Sequence, residues 1–408
     1  MNKILQAVFI IIFCGFFSIS KAVTTDVPNV SPNENLEEVH LSFGDEDFET
    51  ENNGFLQHVE ITKEDEQKSL REKLRDTYNL EVEKYDRPDY LFKEVLSHKC
   101  KEDSVMESWH IWGAFNGYAD TDFKQDGGFD ARYVSNALNI GFDGFLKNNN
   151  ADFRIMMGFP VNASRNYTKL LFSDVFIASN KIPHHRIQIG HFRPQVGMEG
   201  GNSAYTLDFL GRSQIARNFG TARRLGGRIK GDYSFIDYDF GLYSSGTFFD
   251  EFFPGAEFVG WMNIKPLAKV GDKYGKLKIG GGIDGGRRGD SFFVTGAYVG
   301  YEYKKFAADF EWANANGYNG YYGFSRKHAS GFYVTLKYMI TKKLQILACY
   351  DQFDPDKTIN NNNKREYTVG LNYFIKGQAL RLILNYAFCQ NDNAKNSHKI
   401  MLGTQILI

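Results

Sequence analysis

The sequence predicts an all-β protein: a transmembrane antiparallel β-barrel of about 16 strands, preceded by an N-terminal signal peptide and a mostly disordered or partly helical acidic periplasmic segment. Three observations predict it. The chain opens with an export signal; later segments alternate apolar and polar residues with period two; and short turns alternate with long loops between those segments. After residue 22 no apolar run approaches the roughly 18–20 residues of a membrane helix. A barrel needs none, because only every second residue faces lipid. The negative mean hydropathy is therefore compatible with a membrane protein.

Residues 1–22, MNKILQAVFIIIFCGFFSISKA, have a basic start, an apolar core over 4–17 and Ser20-Lys21-Ala22 as a small-x-small cleavage site. This is the pattern of a signal peptide. Cys14 follows Phe13, where a lipoprotein signal requires a small residue, so lipidation is not expected. Residues 23–106 carry 22 Asp or Glu against 10 Lys or Arg, a net of −12. Their first part has no core pattern and reads as disordered. Their second part reads as helical up to Arg87-Pro88, with Leu70, Leu74 and Leu80 too sparse for a coiled-coil seam. Residues 107–408 reverse the balance, with 36 Lys or Arg against 27 Asp or Glu, a net of +9.

Sixteen strands are expected, near 108–119, 129–146, 150–162, 168–179, 184–193, 223–233, 235–246, 256–265, 275–284, 292–303, 305–314, 328–340, 343–352, 364–375, 379–389 and 398–408. Phe332, Val334, Leu336, Tyr338 and Ile340 alternate with Gly331, Tyr333, Thr335 and Lys337. Leu382, Leu384, Tyr386 and Phe388 alternate with Arg381, Ile383, Asn385 and Ala387. An apolar face on lipid and a polar or small face on water suits this pattern. Short turns fall at 147–150, 303–305, 341–343 and 376–378, and long loops at 119–128, 193–223, 285–291, 314–327, 354–363 and 390–397. The turn 266–274 is longer than the others on its side. Tyr118, Tyr243, Trp261, Tyr303, Trp312 and Tyr350, near strand ends, are expected in the interface girdles. Cys100, Cys349 and Cys389 fit no metal motif, and Cys349 and Cys389 are placed two strands apart, with no disulfide expected.

The loop 193–223 lies between two clear strands. Ile187, Ile189 and His191 share one face of the first; Arg224, Gly226, Arg228 and Lys230 share one face of the second. About thirty intervening residues show no sustained period, and a connection of that length inside a compact domain usually carries function or is disordered. Here it is expected to fold inward and narrow a pore. On this alternation Arg186, Arg224, Arg228 and Lys230 line the lumen from the strands, with Lys276 and Lys278 further along, and Arg193, Arg212 and Arg217 from the loop. Arginine suits oxyanions because its planar fork donates two hydrogen bonds at once. Asp237, Asp239, Glu302, Asp309, Glu311 and Glu366 share the lumen, and the alternative is that the two signs simply pair across neighbouring strands. No H-E-x-x-H, G-x-S-x-G or Walker loop is present, so an enzyme is not expected.

Gly190-His191-Phe192-Arg193-Pro194, then Gly197-Met198-Glu199, Ser203, Leu210-Gly211-Arg212-Ser213 and Arg223-Arg224-Leu225-Gly226 resemble motifs of the phosphate-selective porin O and P family, as does the segment 136–144. The resemblance implies a trimeric, sixteen-stranded channel for anions in the bacterial outer membrane, in some members selective for phosphate, with Ser203 and Arg212 among the contact residues. Small anions or other small hydrophilic solutes, outer-membrane lipid and two further copies of the chain are then the expected partners, with no nucleic acid and no cofactor. The chain departs from the family's basic positions at Asn136, Ala137 and Gly200, and Gly211 replaces a glutamate. The expected function is a porin passing small hydrophilic solutes with mild anion preference. The alternative is a surface-exposed structural or adhesive barrel with a closed lumen.

Overall fold

A computed structural model describes residues 90–147, 151–159, 172–246 and 252–408. The signal peptide, most of the acidic segment and the turn at 148–150 lie outside the described residues. Helix α1 (Lys93–Leu96) leads into a short strand, β1 (Ser97–Lys99). Sixteen longer strands follow: β2 (Met106–Lys124), β3 (Phe129–Leu146), β4 (Ala151–Gly158), β5 (Phe172–Ser179), β6 (His185–Phe192), β7 (Arg224–Asp232), β8 (Ile236–Ser244), β9 (Ala256–Ile264), β10 (Lys276–Arg288), β11 (Asp290–Tyr303), β12 (Phe306–Gly320), β13 (Gly323–Met339), β14 (Leu344–Asp354), β15 (Lys364–Lys376), β16 (Leu380–Asn391) and β17 (Ser397–Leu407).

Each of these sixteen pairs antiparallel with its chain neighbours, and β17 pairs with β2 from Ser397↔Lys124 to Leu407↔Ala114. The sheet therefore closes on itself, each of the sixteen strands having a paired neighbour on both sides, which is the condition for strands to cross a bilayer. β1 sits on β2 at Ser108–His110, just past the end of β17, and the Leu91 N–H donates to the Leu407 carbonyl at 2.9 Å.

Side chains sort as period two requires. Leu336, Tyr338, Leu382, Leu384, Val369 and Leu371 are exposed on the outer face, while Tyr333, Thr335, Lys337, Arg381, Ile383 and Asn385 are buried inside. Phe310, Phe332, Tyr350, Tyr367, Phe388 and His398 form a chain of ring contacts, with centroids 4.9–6.1 Å apart, across the outer face of β12 to β17. Aromatic rings on the outer face of such a barrel are the residues from which interfacial girdles are built. Tyr118, Tyr243 and Trp261 do not join them: they are buried inside, because the phase of their strands turns them to the lumen.

Three expected long loops are largely strand. β2 and β3 pair as far as Phe123↔Phe129, β10 and β11 as far as Arg288↔Asp290, and β12 and β13 as far as Gly320↔Gly323. A tilted strand needs about 9–11 residues to span the membrane, and β2 has 19 and β13 has 17. The excess stands clear of lipid with both faces wet, so it has no alternation to read. In β6, Ile187 and Ile189 are exposed but His191 is buried, with its Nδ1 2.9 Å from the Ser173 carbonyl. The change of phase falls at Gly190, whose φ of +142° is closed to other residues; a Cβ there would lie 2.2 Å from the Val175 carbonyl oxygen.

Candidate pore constriction

Residues 193–223 fold into the lumen and rest on strands far from their own base. The loop contains α2 (Met198–Gly201), a 3-10 turn (Ala204–Thr206) and α3 (Gln214–Phe219). Irregular backbone buried away from water must find hydrogen-bond partners, and here the wall supplies them. Glu311 of β12 accepts from the Met198 N–H at 2.8 Å and the Glu199 N–H at 3.2 Å, and its second oxygen also accepts from the Tyr333 hydroxyl at 2.9 Å. Gln405 of β17 donates to the Tyr205 carbonyl at 2.9 Å, and Asn139 of β3 to the Tyr205 hydroxyl at 2.9 Å. Arg381 of β16 donates to the Leu207 carbonyl, Asn372 of β15 to the Asp208 carbonyl, and Asn385 of β16 accepts from the Leu210 N–H. Asp351 of β14 accepts from the Gln214 N–H at 2.7 Å.

Apolar contacts complete the seating. Leu210 packs with Tyr118, Val134 and Ile383, and Ile215 and Phe219 pack with Val294, Ala313, Ala329 and Phe353. Within the loop, Ser203 and Ser213 cap the 3-10 turn and α3, accepting from the Tyr205 and Ala216 N–H groups. Gly200 and Gly220 bring the two limbs together: a Cβ on Gly220 would lie 2.7 Å from the Gly200 Cα, and one on Gly200 would lie 3.2 Å from the Gly220 Cα. A side chain at Gly200 therefore requires the Gly220 backbone to shift by a few tenths of an ångström. Gly211 has no neighbour in the way of a side chain. Asn136 and Ala137 lie in β3, and their side chains are outside the described residues.

The expected contact residues are all near the loop, and the structure gives each a partner within the chain. Arg186 forms a two-pronged pair with Asp152 at 2.7 Å on both oxygens. Arg193, 1% exposed, donates to the Thr221 and Asn202 carbonyls, and Arg212 donates to those of Glu199 and Asn202. These two arginines clamp the loop's neck. Arg217 crosses to Glu366 on β15 at 2.8 Å. Arg224 pairs with Glu257 at 2.9 Å, and Asn319 donates to the same carboxylate at 2.7 Å. Arg228 donates to Gln188 and Asp239 and lies 4.6 Å over the Phe192 ring, while Lys230 stands 3.7 Å from Asp239.

Two loop groups are electrostatically shifted. Burial raises the Glu199 carboxyl above its ordinary range, partly countered by the Ser213 hydrogen bond and the Arg212 charge. Burial disfavours the Arg217 charge, but Glu366 and Asp351 outweigh it and hold the guanidinium protonated beyond its usual range.

Between the loop and the long turn after β9 lies a cavity of about 650 Å³. Six lysines line it: Lys265, Lys269, Lys273, Lys276, Lys278 and Lys337, against the carboxylates of Glu199, Asp208, Glu302 and Asp309. Lys337 pairs with Asp208 at 2.9 Å and Asp309 at 2.7 Å, and Lys265 with Asp232 at 2.6 Å. Of these lysines the sequence pattern singled out Lys276 and Lys278. Lys269 and Lys273 belong to the turn whose unusual length was the one available signal, with α4 (Gly271–Tyr274) folded inside it.

A closed antiparallel barrel with an apolar outer face, a chain of aromatic rings across it and a long loop folded into a polar lumen has the fold of an outer-membrane porin. The comparisons agree. The chain is similar to a loop L8 deletion mutant of OmpT, an outer membrane protein of Vibrio cholerae (TM-score 0.55, 12% identity, covering 75% of this chain and 100% of that one). It is also similar to the outer membrane channel DcaP of Acinetobacter baumannii (0.53, 11%, 76% and 99%) and to in-vitro folded OmpT of Vibrio cholerae in its trimer form (0.51, 13%, 74% and 99%). More particularly, residues 282–407 match the family model of the phosphate-selective porin O and P. That match runs from within β10 to the end of β17; the loop motifs quoted above precede it. No curated protein matches the chain.

Proposed function

We propose that the protein is a passive channel of the bacterial outer membrane for small hydrophilic solutes, with mild anion preference and the loop 193–223 as its constriction. The observation that carries this reading is the seating of that loop on β12 to β17, with a cavity of about 650 Å³ rimmed by six lysines below it. A pore selects by width and by the charges on its wall, and residues 107–408 hold nine more basic than acidic side chains. Arg186, Arg217, Arg224, Arg228 and Lys230, paired with carboxylates, set a transverse field, while Arg193, Ser203 and Arg212 act by fixing the loop. The homotrimer is part of the same proposal, supported by the trimer form of the OmpT relative.

Purified protein in a planar bilayer is expected to give conductance steps of defined size. Under a salt gradient the sign of the reversal potential is expected to report anions as the faster ions. A cation sign overturns the preference. The finer expectation, phosphate selectivity, requires that low phosphate block the chloride current and that Arg212→Ala weaken the block. A second reading, a structural or adhesive barrel with a closed lumen, is favoured by the apolar footings of Leu210, Ile215 and Phe219 on the wall. A silent bilayer would support it.

A further inference from the structure

At the turn end of β9 to β16 the rim of the barrel is basic. Four consecutive turns stand there, at 265–275, 304–305, 340–343 and 377–379, the last preceded by Lys376 at the end of β15. With Lys376 they hold eight lysines against one acidic residue, Asp272. Lys265 turns to Asp232 and Asp237. Lys304, Lys305, Lys342, Lys343 and Lys376 are exposed, and none of them is ion-paired among the described residues. Lys304 lies 5.0 Å over the Tyr303 ring, and Lys305 donates to the Ile340 carbonyl at 3.3 Å. At the opposite end of the barrel, basic groups find carboxylates: Arg326 pairs with Asp290, Arg365 with Asp392 and Lys395 with Asp126.

These five lysines stand beside the apolar outer face. Phe306 follows Lys305 and pairs with Tyr338 on β13, Ile340 opens the turn of Lys342 and Lys343, and Tyr373 and Ile375 precede Lys376. All five of these apolar residues are exposed. Neighbouring turns are two strands apart, roughly 10 Å at the usual spacing. A soluble anion would meet the charge but leave the hydrocarbon next to it uncovered. An anionic phospholipid meets both: its phosphate accepts from the ammonium groups, its acyl chains cover the apolar residues, and the lysine stems lie along the boundary between them. Barrels of this kind keep their short turns on the periplasmic side, so the rim meets the periplasm-facing leaflet.

We infer that this rim binds anionic phospholipid headgroups, with Lys304, Lys305, Lys342, Lys343 and Lys376 as the contacts. A zwitterionic phospholipid brings the same acyl chains, but its own ammonium offsets the phosphate, so it is the weaker occupant. Each lysine near an anionic surface strengthens association about five-fold, and the two lysine pairs present two ammonium groups to one headgroup. The inference concerns the outer wall of the barrel and needs no current through its lumen.

The test is native mass spectrometry of the full chain released from nanodiscs that hold equal amounts of phosphatidylglycerol and phosphatidylethanolamine. The expected result is several-fold more phosphatidylglycerol than phosphatidylethanolamine retained on the protein. That preference should fall several-fold when Lys304, Lys305, Lys342, Lys343 and Lys376 are all replaced by Gln. Replacing the same five by Arg keeps the charge and should keep the preference, which separates loss of charge from failure to fold. Gln at Arg326, Lys357 and Lys395, at the loop end, should leave the preference unchanged. Glycerol phosphate, a headgroup without chains, should not displace the bound lipid. Equal retention of the two lipids, an unchanged preference in the Gln variant, or an equal loss in the Arg or loop-end variant overturns the inference. Displacement by glycerol phosphate also overturns it, and would identify an ion site on the turns instead.

Discussion

Removing the Glu311 carboxylate tests how the loop is held. Glu311 is 2% exposed and accepts from two loop amides, Met198 and Glu199, and from the Tyr333 hydroxyl. In Glu311→Ala the Tyr333 hydroxyl recovers water from the cavity it lines, while the two amides lose a charged acceptor. A hydrogen bond to a charged group contributes about 1.5–3 kcal/mol, and relief of repulsion between Glu311 and Glu199 returns part of this. The expected loss of loop docking is about 2–4 kcal/mol, which at about 1.4 kcal/mol per tenfold corresponds to roughly 30- to 700-fold faster opening. Hydrogen exchange of the purified protein in micelles reads that opening locally. Amides of residues 198–219 should exchange faster by that factor, with the β14–β17 ladder unchanged. Equal acceleration in loop and ladder, or none in either, would refute the reasoning that this carboxylate seats the loop.

Three further outcomes are expected. Because burial raises the Glu199 carboxyl above its ordinary value of 4.5, the docked loop holds this proton more tightly than the undocked one. The contribution is fully present below the ordinary value and is lost as pH rises through the docked-state pKa, so loop protection, corrected for intrinsic exchange, should decline over that rise and become flat in Glu199→Gln. Glu257→Ala strands Arg224, 1% exposed, without its carboxylate; a cost of about 3–5 kcal/mol is expected in denaturant unfolding, and a cost below about 1 kcal/mol would mean the pair is hydrated. Gly220→Ala forces a Cβ onto Gly200 and should raise loop exchange or protease cleavage within 193–223, whereas Gly211→Glu, with open space around it, should leave both unchanged.

The strands were legible where lipid faces one side and water the other. β13, β15 and β16 show that alternation over their whole middle, and the structure keeps it. Legibility failed where both faces are wet, as in the ends of β2, β12 and β13, because only the backbone ladder continues there. It failed again inside, where Tyr118, Tyr243 and Trp261 look like girdle residues by type but are turned inward by strand phase. The arginines near the loop were legible as a cluster; their partners were not. Arg217 meets Glu366 from 149 residues away because its loop crosses the lumen, and Arg186 meets Asp152 from 34 because β5 brings β4 and β6 within reach. The lysine cavity left two traces, Lys276 and Lys278 on the lumen face of their strand and a turn longer than its neighbours.

The loop lacks a period because it is neither strand nor helix for long, yet much of it is buried against a wall that faces water elsewhere. Its backbone groups then face the requirement that irregular backbone at membrane depth be satisfied by the protein around it. Asn372, Asn385, Arg381 and Gln405 meet that requirement from β15 to β17. Alternation marks these four as lumen-facing polar residues and so suggests contact with solute, but their side chains hold loop backbone. A polar residue on the inner face of such a barrel thus has two possible duties, and register decides between them: those level with the inserted loop serve its backbone, and those below it, as Lys276 does, remain for what enters the cavity.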